Sequence, residues 1–345
     1  MTMAPAAADR VVRLHGPGDI RIASESSPVP GAGEVMLQVT AVGLCGSDLH
    51  WFEDASIGDT GLERPLVLGH EFAGVIETGA RRGERVVADP AHACRRCAVC
   101  SSGRDHLCMD TRFAGLSPID GALRQTMAWP EHLLFRLPDS IGDEEAPLLE
   151  VLGIALHALD LGEVRAGMRV GVYGTGPVGL MIVAALRARG VREIVATDRL
   201  DHRVAAARAM GATVAETVDP AQPIAAERPG SPVDVAFECA GEDTAVEAAI
   251  RAAAPGGRVV LIGIPSPDRT TFSASVARRK GLTLVMCRRM RPGDLAAAIR
   301  LAAAGDVPLG PVVSHRFALD EAAAAFEVLR SRSGLKVVVE PGRSP

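Results

Sequence analysis

The sequence predicts an α/β protein that combines a β-rich domain with a doubly wound, six-stranded parallel sheet. Three observations predict this class. Short strand-like segments separated by Pro and Gly fill the chain before residue 90, strand and helix patterns alternate between residues 169 and 286, and 345 residues exceed what one hydrophobic core usually holds. With 48% hydrophobic and 23% charged residues, the composition is that of a folded globular protein.

Charge and composition exclude several classes of protein. The formal net charge of −5 and the pI near 6.0 argue against binding to nucleic acid. The first residues lack the basic start and apolar run of a signal peptide, and no apolar stretch reaches the roughly 20 residues needed to cross a bilayer. We therefore expect a cytoplasmic protein without a membrane partner, in a reducing compartment where clustered cysteines bind metal rather than form disulfides.

The N-terminal part of the chain has a strand-like pattern. Residues 19–22 alternate between polar and apolar side chains, the Pro- and Gly-rich residues 28–33 interrupt the pattern, and residues 34–39 resume it. The pattern returns at residues 73–77 and 84–88. Strands this short predict a compact antiparallel barrel whose connections carry the functional side chains.

A thiol, a hydroxyl and an imidazole lie close together in the sequence, at Cys45, Ser47 and His50. The hydroxyl of Ser47 could pass a proton to His50 and on to solvent. Further along, His70 and Glu71 add an imidazole and a carboxylate. Together with Cys45 they supply the mixed S, N and O ligands of a zinc site, although a single Cys is more often a small buried side chain.

Four further cysteines form one cluster, at Cys94, Cys97, Cys100 and Cys108. Four thiolates at this spacing can close a tetrahedron around one zinc ion and leave no position open for a substrate, so the site would be structural. An iron–sulfur cluster or four unrelated thiols are the alternatives. We favour zinc, because neither a Cys-Pro ending nor a second cysteine cluster accompanies the motif.

The pattern between Asp139 and Asp160 predicts a helix, which contains Glu150 among apolar neighbours. A carboxylate in such surroundings is costly unless it is paired, solvated or directed at a metal. A structural role at a helix end is the alternative. Glu150 is therefore a candidate for metal binding or catalysis.

A glycine motif gives the strongest local signal. A short strand from Arg169 leads into Gly-x-Gly-x-x-Gly, and an apolar helix follows from Pro177 to about Arg189. Glycines let the backbone approach a pyrophosphate, and the N-terminus of the helix offers N–H donors. The candidate dinucleotide-binding residues of this loop are Gly174, Gly176, Pro177, Val178 and Gly179.

A second strand ends in Asp198, at roughly the twenty-residue distance from the motif that is expected for a carboxylate on the adenosine ribose. Asp198 favours NAD over NADP because it would repel a 2′-phosphate. Arg199 could weaken that preference, since Arg is the side chain that accepts this phosphate. Arg203 is close enough in sequence to reach the adenosine end, with a solvated helix face as the alternative.

The alternating pattern gives six strands, a complete doubly wound sheet. They are expected at residues 169–173, 193–197, 213–215, 233–239, 258–264 and 282–286. The helix from Gly293 and the strands beyond Pro311 do not extend this sheet. We therefore expect the nucleotide domain, residues 154–287, to be inserted into a catalytic domain formed by residues 1–153 and 288–345, in which residues 90–112 form the zinc lobe.

With these motifs the chain resembles the zinc-dependent medium-chain dehydrogenases over nearly its full length, in particular their polyol branch of sorbitol, xylitol and L-idonate dehydrogenases. The resemblance rests on residues 45–50, 69–71, 148–150 and 314–317, together with the four-cysteine lobe. It implies a GroES-like β-rich catalytic domain and a Rossmann domain.

The resemblance also implies roles for the metal-site residues. Cys45 and His70 would hold a catalytic zinc with Glu71 as a third ligand, and Glu150 would either bind the metal or hold its water. The family uses one catalytic and one structural zinc per subunit, so two Zn²⁺ ions per subunit are expected. NAD is the expected second cofactor.

The same resemblance places Trp51 and Arg289 in the substrate pocket, with Arg288 as the alternative to Arg289. It places Ile262, Gly263 and Ile264 beside the nicotinamide. Two departures from the family pattern, Val151 in place of a proline and Met290 in place of an aromatic residue, concern the pocket and leave the individual sugar open.

The implied activity is the reversible oxidation of a secondary hydroxyl of a polyol, sugar acid or cyclitol to a ketone. The proton would leave through Ser47 and His50, or through a water held by Glu150. A primary alcohol or threonine-type dehydrogenase of the same family and a non-catalytic zinc protein that binds a dinucleotide are the alternatives. The family's assembly implies a homodimer or homotetramer joined through the nucleotide domains, with residues 282–286 at the contact.

Overall fold

The computed structural model of the protein describes residues 8–219 and 232–343. The strands, labelled in chain order, are β1 (Ala8–Gly16), β2 (Asp19–Ser26), β3 (Glu34–Leu44), β4 (Ser56–Ile57), β5 (Thr60–Gly61), β6 (Leu66–Val67), β7 (Glu71–Ile76), β8 (Arg85–Ala88), β9 (Ala91–His92), β10 (Arg112–Phe113), β11 (Thr126–Pro130), β12 (Leu134–Arg136), β13 (Arg169–Tyr173), β14 (Glu193–Asp198), β15 (Val214–Thr217), β16 (Val233–Glu238), β17 (Ala253–Leu261), β18 (Thr283–Met286), β19 (Val313–Ala318) and β20 (Lys336–Glu340). The α-helices are α1 (Gly46–Asp54), α2 (Ala98–Ser101), α3 (Leu148–Leu161), α4 (Pro177–Ala188), α5 (Asp201–Ala209), α6 (Asp243–Ala252), α7 (Ala274–Lys280), α8 (Asp294–Ala303) and α9 (Ala322–Arg330).

The chain divides into two compact units. The first unit extends to Glu150 and resumes at Val313, and the second runs from Val151 to Val312. Residues 288–312, which the sequence assigns to the catalytic domain, therefore group with the second unit. Hydrogen bonds to α3 explain this, because His157 bonds the carbonyl of Arg289 and Asp160 bonds the guanidinium of Arg291.

The first unit is built around β3. Its central sheet has the order β12-β8-β7-β3-β20-β19, with β11 also paired to β3. All of these pairs are antiparallel except β19 with β20. Alternate side chains of β3, among them Val35, Leu37 and Val39, are buried in an apolar core that also includes Phe326 of α9. The β-rich prediction is confirmed.

The register of the central sheet brings three distant segments together. Gly43, near the end of β3, lies opposite Glu71 at the start of β7. On its other side, Leu44 lies opposite Val337 in β20. The end of β3 therefore lies between the beginning of β7 and the beginning of β20.

Two helices differ from the expectation. The residues after Cys45 form α1 rather than a loop, so Ser47 and His50 lie on a helix. Helix α3 begins at Leu148 instead of near Asp139, because Gly142 and Pro147 interrupt the earlier part of the pattern. Among the helices that the structure describes, none combines the length and apolarity needed to cross a bilayer.

The second unit contains one parallel sheet with the order β15-β14-β13-β16-β17-β18. Numbered by appearance, this is the 3-2-1-4-5-6 order of a doubly wound sheet, so the six-stranded prediction is confirmed. The strand order reverses between β13 and β16. Ligands of such sheets bind at the carboxyl ends of the strands at this reversal, where the loops after Tyr173 and Glu238 meet.

Candidate active site

Cys45, His70 and Glu71 form the first candidate metal site. Cys45 is the N-terminal cap of α1, and its backbone N–H donates to Oδ2 of Asp48 at 2.9 Å. One ligand atom from each of Cys45, His70 and Glu71 lies within 4.8 Å of the other two. The structure thus brings together the three residues that the sequence nominates as catalytic zinc ligands.

Asp48 orients this site, and the sequence did not single it out. Its side chain is fully buried, lies 3.6 Å from Nδ1 of His70 and accepts the N–H of Gly69 at 3.2 Å. Burial alone would lower the pKa of His70, but the charge of Asp48 and the thiol of Cys45 raise it well above its ordinary value. Because Nδ1 faces Asp48, Nε2 is the nitrogen available to a metal, an arrangement common among zinc-binding histidines.

Lys336 is the second residue that the sequence analysis missed. Its Nζ lies 2.8 Å and 2.5 Å from the two carboxylate oxygens of Glu71 and donates to the carbonyl of Leu44 at 3.0 Å. Both side chains of the pair are almost completely buried. A Cβ on Gly43 would lie 2.3 Å from Oε2 of Glu71, so only glycine leaves room for this carboxylate on β3.

Glu150 lies in the first turn of α3 and is 3% exposed. Among the described residues its Oε2 has no hydrogen-bond partner. Burial raises the pKa of Glu150 to about 8, and repulsion from Glu71 adds to the shift, while His70 and Lys336 oppose it. Glu150 is not one of the three residues grouped within 4.8 Å, so its unpartnered Oε2 belongs to a buried carboxylate outside that group.

Both metal sites fit zinc. A thiolate, an imidazole and a carboxylate form a zinc donor set with an open fourth position, and the unpartnered oxygen of Glu150 favours a cation or its water nearby. In the four-cysteine lobe, Sγ of Cys97 lies 3.5 Å from that of Cys100 and 4.0 Å from that of Cys108. A tetrahedron with Zn–S bonds of about 2.3 Å requires Sγ atoms roughly 3.8 Å apart, and four thiols this close enclose one ion rather than a cluster of irons.

The glycine loop between β13 and α4 has the shape of a pyrophosphate site. Gly174 has φ +95°, and a Cβ there would lie 2.9 Å from the nitrogen of Ala240 in the neighbouring loop. A Cβ on Gly179 would lie 2.0 Å from the carbonyl oxygen of Gly174. These close approaches hold α4 against the sheet, and α4 begins at Pro177 directly after Gly176. The N–H groups at the N-terminus of such a helix, here from Val178 onward, are the donors that a pyrophosphate uses.

Asp198 ends β14 and is held by the glycine loop. Its Oδ2 accepts the N–H of Thr175 at 2.7 Å, and its Oδ1 accepts the N–H of Leu200 at 3.0 Å. The guanidinium of Arg203 lies beside Gly176, and that of Arg199 lies 2.5 Å from the carboxylate of Glu242. The predicted adenosine-side residues are therefore at one end of the sheet.

Known proteins resemble both halves of this arrangement. The family model of the alcohol dehydrogenase GroES-like domain matches residues 31–139, and that of the zinc-binding dehydrogenases matches residues 177–304. A sorbitol dehydrogenase of Bacillus subtilis is 34% identical over 343 residues, which cover 96% of each chain. The chain belongs to the zinc-binding dehydrogenases. It is an oxidoreductase of the zinc-dependent alcohol and polyol dehydrogenase type.

Two solved dehydrogenase structures of similar fold contain a nicotinamide cofactor. An alcohol dehydrogenase from Escherichia coli in complex with NADH has a TM-score of 0.88 and 26% identity, over 97% of this chain and all of that one. A putative zinc-binding dehydrogenase from Sinorhizobium meliloti bound to NADP has a TM-score of 0.87 and 28% identity, over 97% of this chain and all of that one. Both forms of the cofactor thus occur among structures of this fold.

In this zinc-binding dehydrogenase, the residues expected beside the nicotinamide follow β17. Gly263 packs directly on the backbone of the loop after β16, since a Cβ there would lie 2.0 Å from the nitrogen of Gly241. Ile262 is half-buried and Ile264 is exposed. The loops after the neighbouring strands β16 and β17 are thereby packed directly against each other.

The candidate substrate residues have different surroundings. Trp51 is 2% exposed and belongs to the apolar core of the first unit, and its expected role in a substrate pocket stays a prediction. Arg289 is half-buried with φ +57°, and its carbonyl lies 2.7 Å from Nδ1 of His157, whereas Arg288 is exposed. The buried Met290 packs on Gly153, so it fills the interior of the second unit.

Ser47 and His50 lie three residues apart on α1, and both side chains are half-buried. Residues at this spacing lie on the same face of a helix. Ser47 is the second residue of α1 and His50 lies about one turn further along, and the proton relay between them stays a prediction.

Proposed function

We propose that this dehydrogenase reversibly oxidises a secondary hydroxyl of a polyol, sugar acid or cyclitol to a ketone, with NAD as the preferred acceptor. The observation that carries the proposal is the joint placement of Cys45, His70 and Glu71. It is supported by the sorbitol dehydrogenase that matches the chain along 96% of its length.

When bound, zinc acts as a Lewis acid on the substrate oxygen and the nicotinamide accepts the hydride, so that one proton remains to be removed. Asp48 holds His70 in the tautomer that presents Nε2. Lys336 balances the charge of Glu71 in the interior of the first unit. Ser47 takes the proton from the substrate hydroxyl and His50 passes it towards solvent, with a water beside Glu150 as the second route.

The NAD preference rests on Asp198, whose carboxylate disfavours a 2′-phosphate. Related structures contain NADH in one case and NADP in another, so a ratio of kcat/KM for the two cofactors is the relevant quantity. A ratio above about tenfold in favour of NAD supports the assignment, and a ratio in favour of NADP overturns it.

The proposal includes a homodimer or homotetramer that forms in the cytoplasm and binds no nucleic acid. β18 is an edge strand of the six-stranded sheet, and its last residue, Met286, is 69% exposed. An exposed strand edge with an apolar side chain is a place where a second copy can pair. Light scattering should give a mass of two or four chains, and a monomer would remove this part of the proposal.

The position of the oxidised carbon tests the proposed reaction. The zinc-loaded protein is incubated with sorbitol, xylitol, idonate or an inositol and NAD, and the product is identified by NMR. A ketone supports a secondary-alcohol dehydrogenase. An aldehyde from the same substrates, or turnover limited to simple primary alcohols or to threonine, would favour the alternatives within the family.

A further inference from the structure

The loop after β16 is fixed by a buried carboxylate. Oε1 of Glu238 accepts the N–H groups of Ala240 and Gly241, each at 2.7 Å, and Glu238 is 1% exposed. Gly241 has φ +73°, and the backbone of Ala240 touches the glycine loop at Gly174. The hydrogen bonds of the buried Glu238 thus fix the backbone directly before Glu242.

Glu242 reaches across the point where the sheet reverses. It is the N-terminal cap residue of α6, and no side-chain capping hydrogen bond occupies its carboxylate. That carboxylate forms an ion pair of 2.5 Å with the guanidinium of Arg199, which directly follows Asp198 at the end of β14. Both side chains are about one third exposed, so an ion in solution can still reach the pair.

The charges around this position disfavour a 2′-phosphate on the adenosine ribose. Asp198 contributes a negative charge next to the expected ribose, and Arg199 is the adjacent cation that a 2′-phosphate would need. A second cation among the described residues, Arg203, lies against Gly176 in the loop expected to receive the pyrophosphate. With Glu242 bound to Arg199, the group formed by Asp198, Arg199 and Glu242 has a net charge of −1.

We propose that Glu242 is a specificity-determining residue that keeps Arg199 from binding a 2′-phosphate and so favours NAD over NADP. This inference rests on the dinucleotide site of the proposed function. It assigns the preference to Arg199 and Glu242, which lie in the segments that follow β14 and β16, in addition to Asp198. A phosphate on the ribose would have to displace Glu242 from Arg199 and lie close to two carboxylates.

The test measures binding of two adenosine fragments by calorimetry, so it does not depend on turnover. Adenosine 2′,5′-bisphosphate probes the 2′-phosphate, and 5′-AMP probes the rest of the same site. Glu242→Gln should tighten binding of the bisphosphate about three- to tenfold at low salt and leave 5′-AMP unchanged. The ratio of kcat/KM for NADP over NAD should rise by a similar factor.

Two further variants separate the possible causes. Glu163→Gln removes a carboxylate from another Arg pair of the same unit, that with Arg258, and should leave both affinities unchanged. Arg258 lies opposite Thr283, the first residue of β18, and so towards the amino ends of the strands rather than their carboxyl ends. The double variant Glu242→Gln with Arg199→Gln should lose the gain, because the freed guanidinium is what binds the phosphate. Thermal unfolding of each variant confirms that α6 remains folded.

An unchanged ratio of bisphosphate to 5′-AMP affinity in Glu242→Gln would overturn the inference, as would a gain that survives Arg199→Gln. Both outcomes leave the proposed function intact as long as 5′-AMP binds the wild-type protein. If the wild-type protein binds neither fragment, the dinucleotide site itself is wrong and the inference falls with it.

Discussion

Two buried carboxylates near the candidate zinc site are in opposite situations. Glu71 has both oxygens paired with Lys336, whereas Oε2 of Glu150 has no partner among the described residues. A buried ion pair that loses one member leaves an uncompensated charge, which costs more than the pair itself contributed. The two residues therefore predict different consequences of substitution.

Replacing Lys336 by Met should lower the free energy of unfolding of the zinc-free protein by about 3 kcal/mol, because Glu71 is left buried without its cation. Zinc should restore part of the loss, since a cation would again face Glu71. Urea denaturation with and without zinc measures both effects.

Lys280→Met is the matched control for Lys336→Met. Lys280 donates to carbonyls at the C-terminal end of α6, among them those of Ile250 and Ala253, and it is partly exposed. Its loss should cost about 1 kcal/mol and zinc should not restore it. An effect of Lys336→Met no larger than that of Lys280→Met would contradict the buried-pair account.

The two proton routes can be separated by single substitutions. If Ser47 and His50 carry the proton, Ser47→Ala should lower turnover by roughly 10²- to 10⁴-fold with the zinc content unchanged. Stopped-flow kinetics and metal analysis of the same samples give both quantities. Near-normal turnover of Ser47→Ala, together with an inactive Glu150→Ala that still holds zinc, would transfer the role to Glu150.

At the scale of elements, α4 and its glycine loop are held together by contacts without room for a side chain. Gly179→Ala would place a methyl group 2.0 Å from the carbonyl oxygen of Gly174, so the loop or the helix must move. We expect a loss of about 1–3 kcal/mol in stability and a large loss of NADH affinity, measured by fluorescence titration.

Gly16→Ala provides the comparison, because nothing lies within 4 Å of the added methyl group. It should change neither stability nor NADH binding by a measurable amount. NADH affinity of Gly179→Ala equal to that of the wild-type protein would show that the tight packing of the loop is unimportant for the cofactor.

Asp160 connects α3 with two other segments through Arg189 and Arg291. Burial raises the pKa of Asp160, but hydrogen bonds from the two guanidinium groups outweigh it and lower the pKa overall. Because the pKa is lowered in the folded state, the ionised Asp160 stabilises the fold at pH values above the ordinary carboxyl pKa of about 3.9. This stabilisation is lost as the pH falls through the lowered pKa.

Asp160→Asn should therefore reduce stability by about 1 kcal/mol or less near pH 6, because the pairs are partly exposed, and the difference from wild type should shrink below about pH 4. Urea denaturation at several pH values measures it. The exposed pair of Glu327 and Arg330 on α9 gives a control, as Glu327→Gln should have no resolvable effect. A difference for Asp160→Asn that grows towards low pH would contradict the account.

The sequence predicts an element best when the residues that determine the element are close to one another in the chain. The glycine loop and the end of β14 are specified by residues close in sequence, and the structure has them as expected. Helix α1 was missed because its nine residues are too short for a clear period, and only the spacing of Cys45 and Asp48, that of a cap and its partner, could have indicated it.

At the scale of the whole molecule, the residues that the sequence could not identify act across the chain. Lys336 lies 265 positions from Glu71, and the pair exists only because β20 returns to the end of β3. Glu242 meets Arg199 only because the sheet places β16 near β14. The burial of Trp51, which the resemblance to the family places in the pocket, likewise depends on how the first unit packs.

Zinc-dependent oxidation of a polyhydroxylated secondary alcohol is the central claim, and NAD reduction measured before and after removal of zinc tests it most directly. Absorbance is followed with sorbitol, xylitol, idonate and inositols on the zinc-loaded protein, the chelated protein and the protein reloaded with zinc. We expect turnover on at least one of these substrates, loss on chelation and recovery on reloading. Turnover that survives complete removal of zinc, or none on any secondary alcohol while zinc and NAD are bound, would contradict the claim.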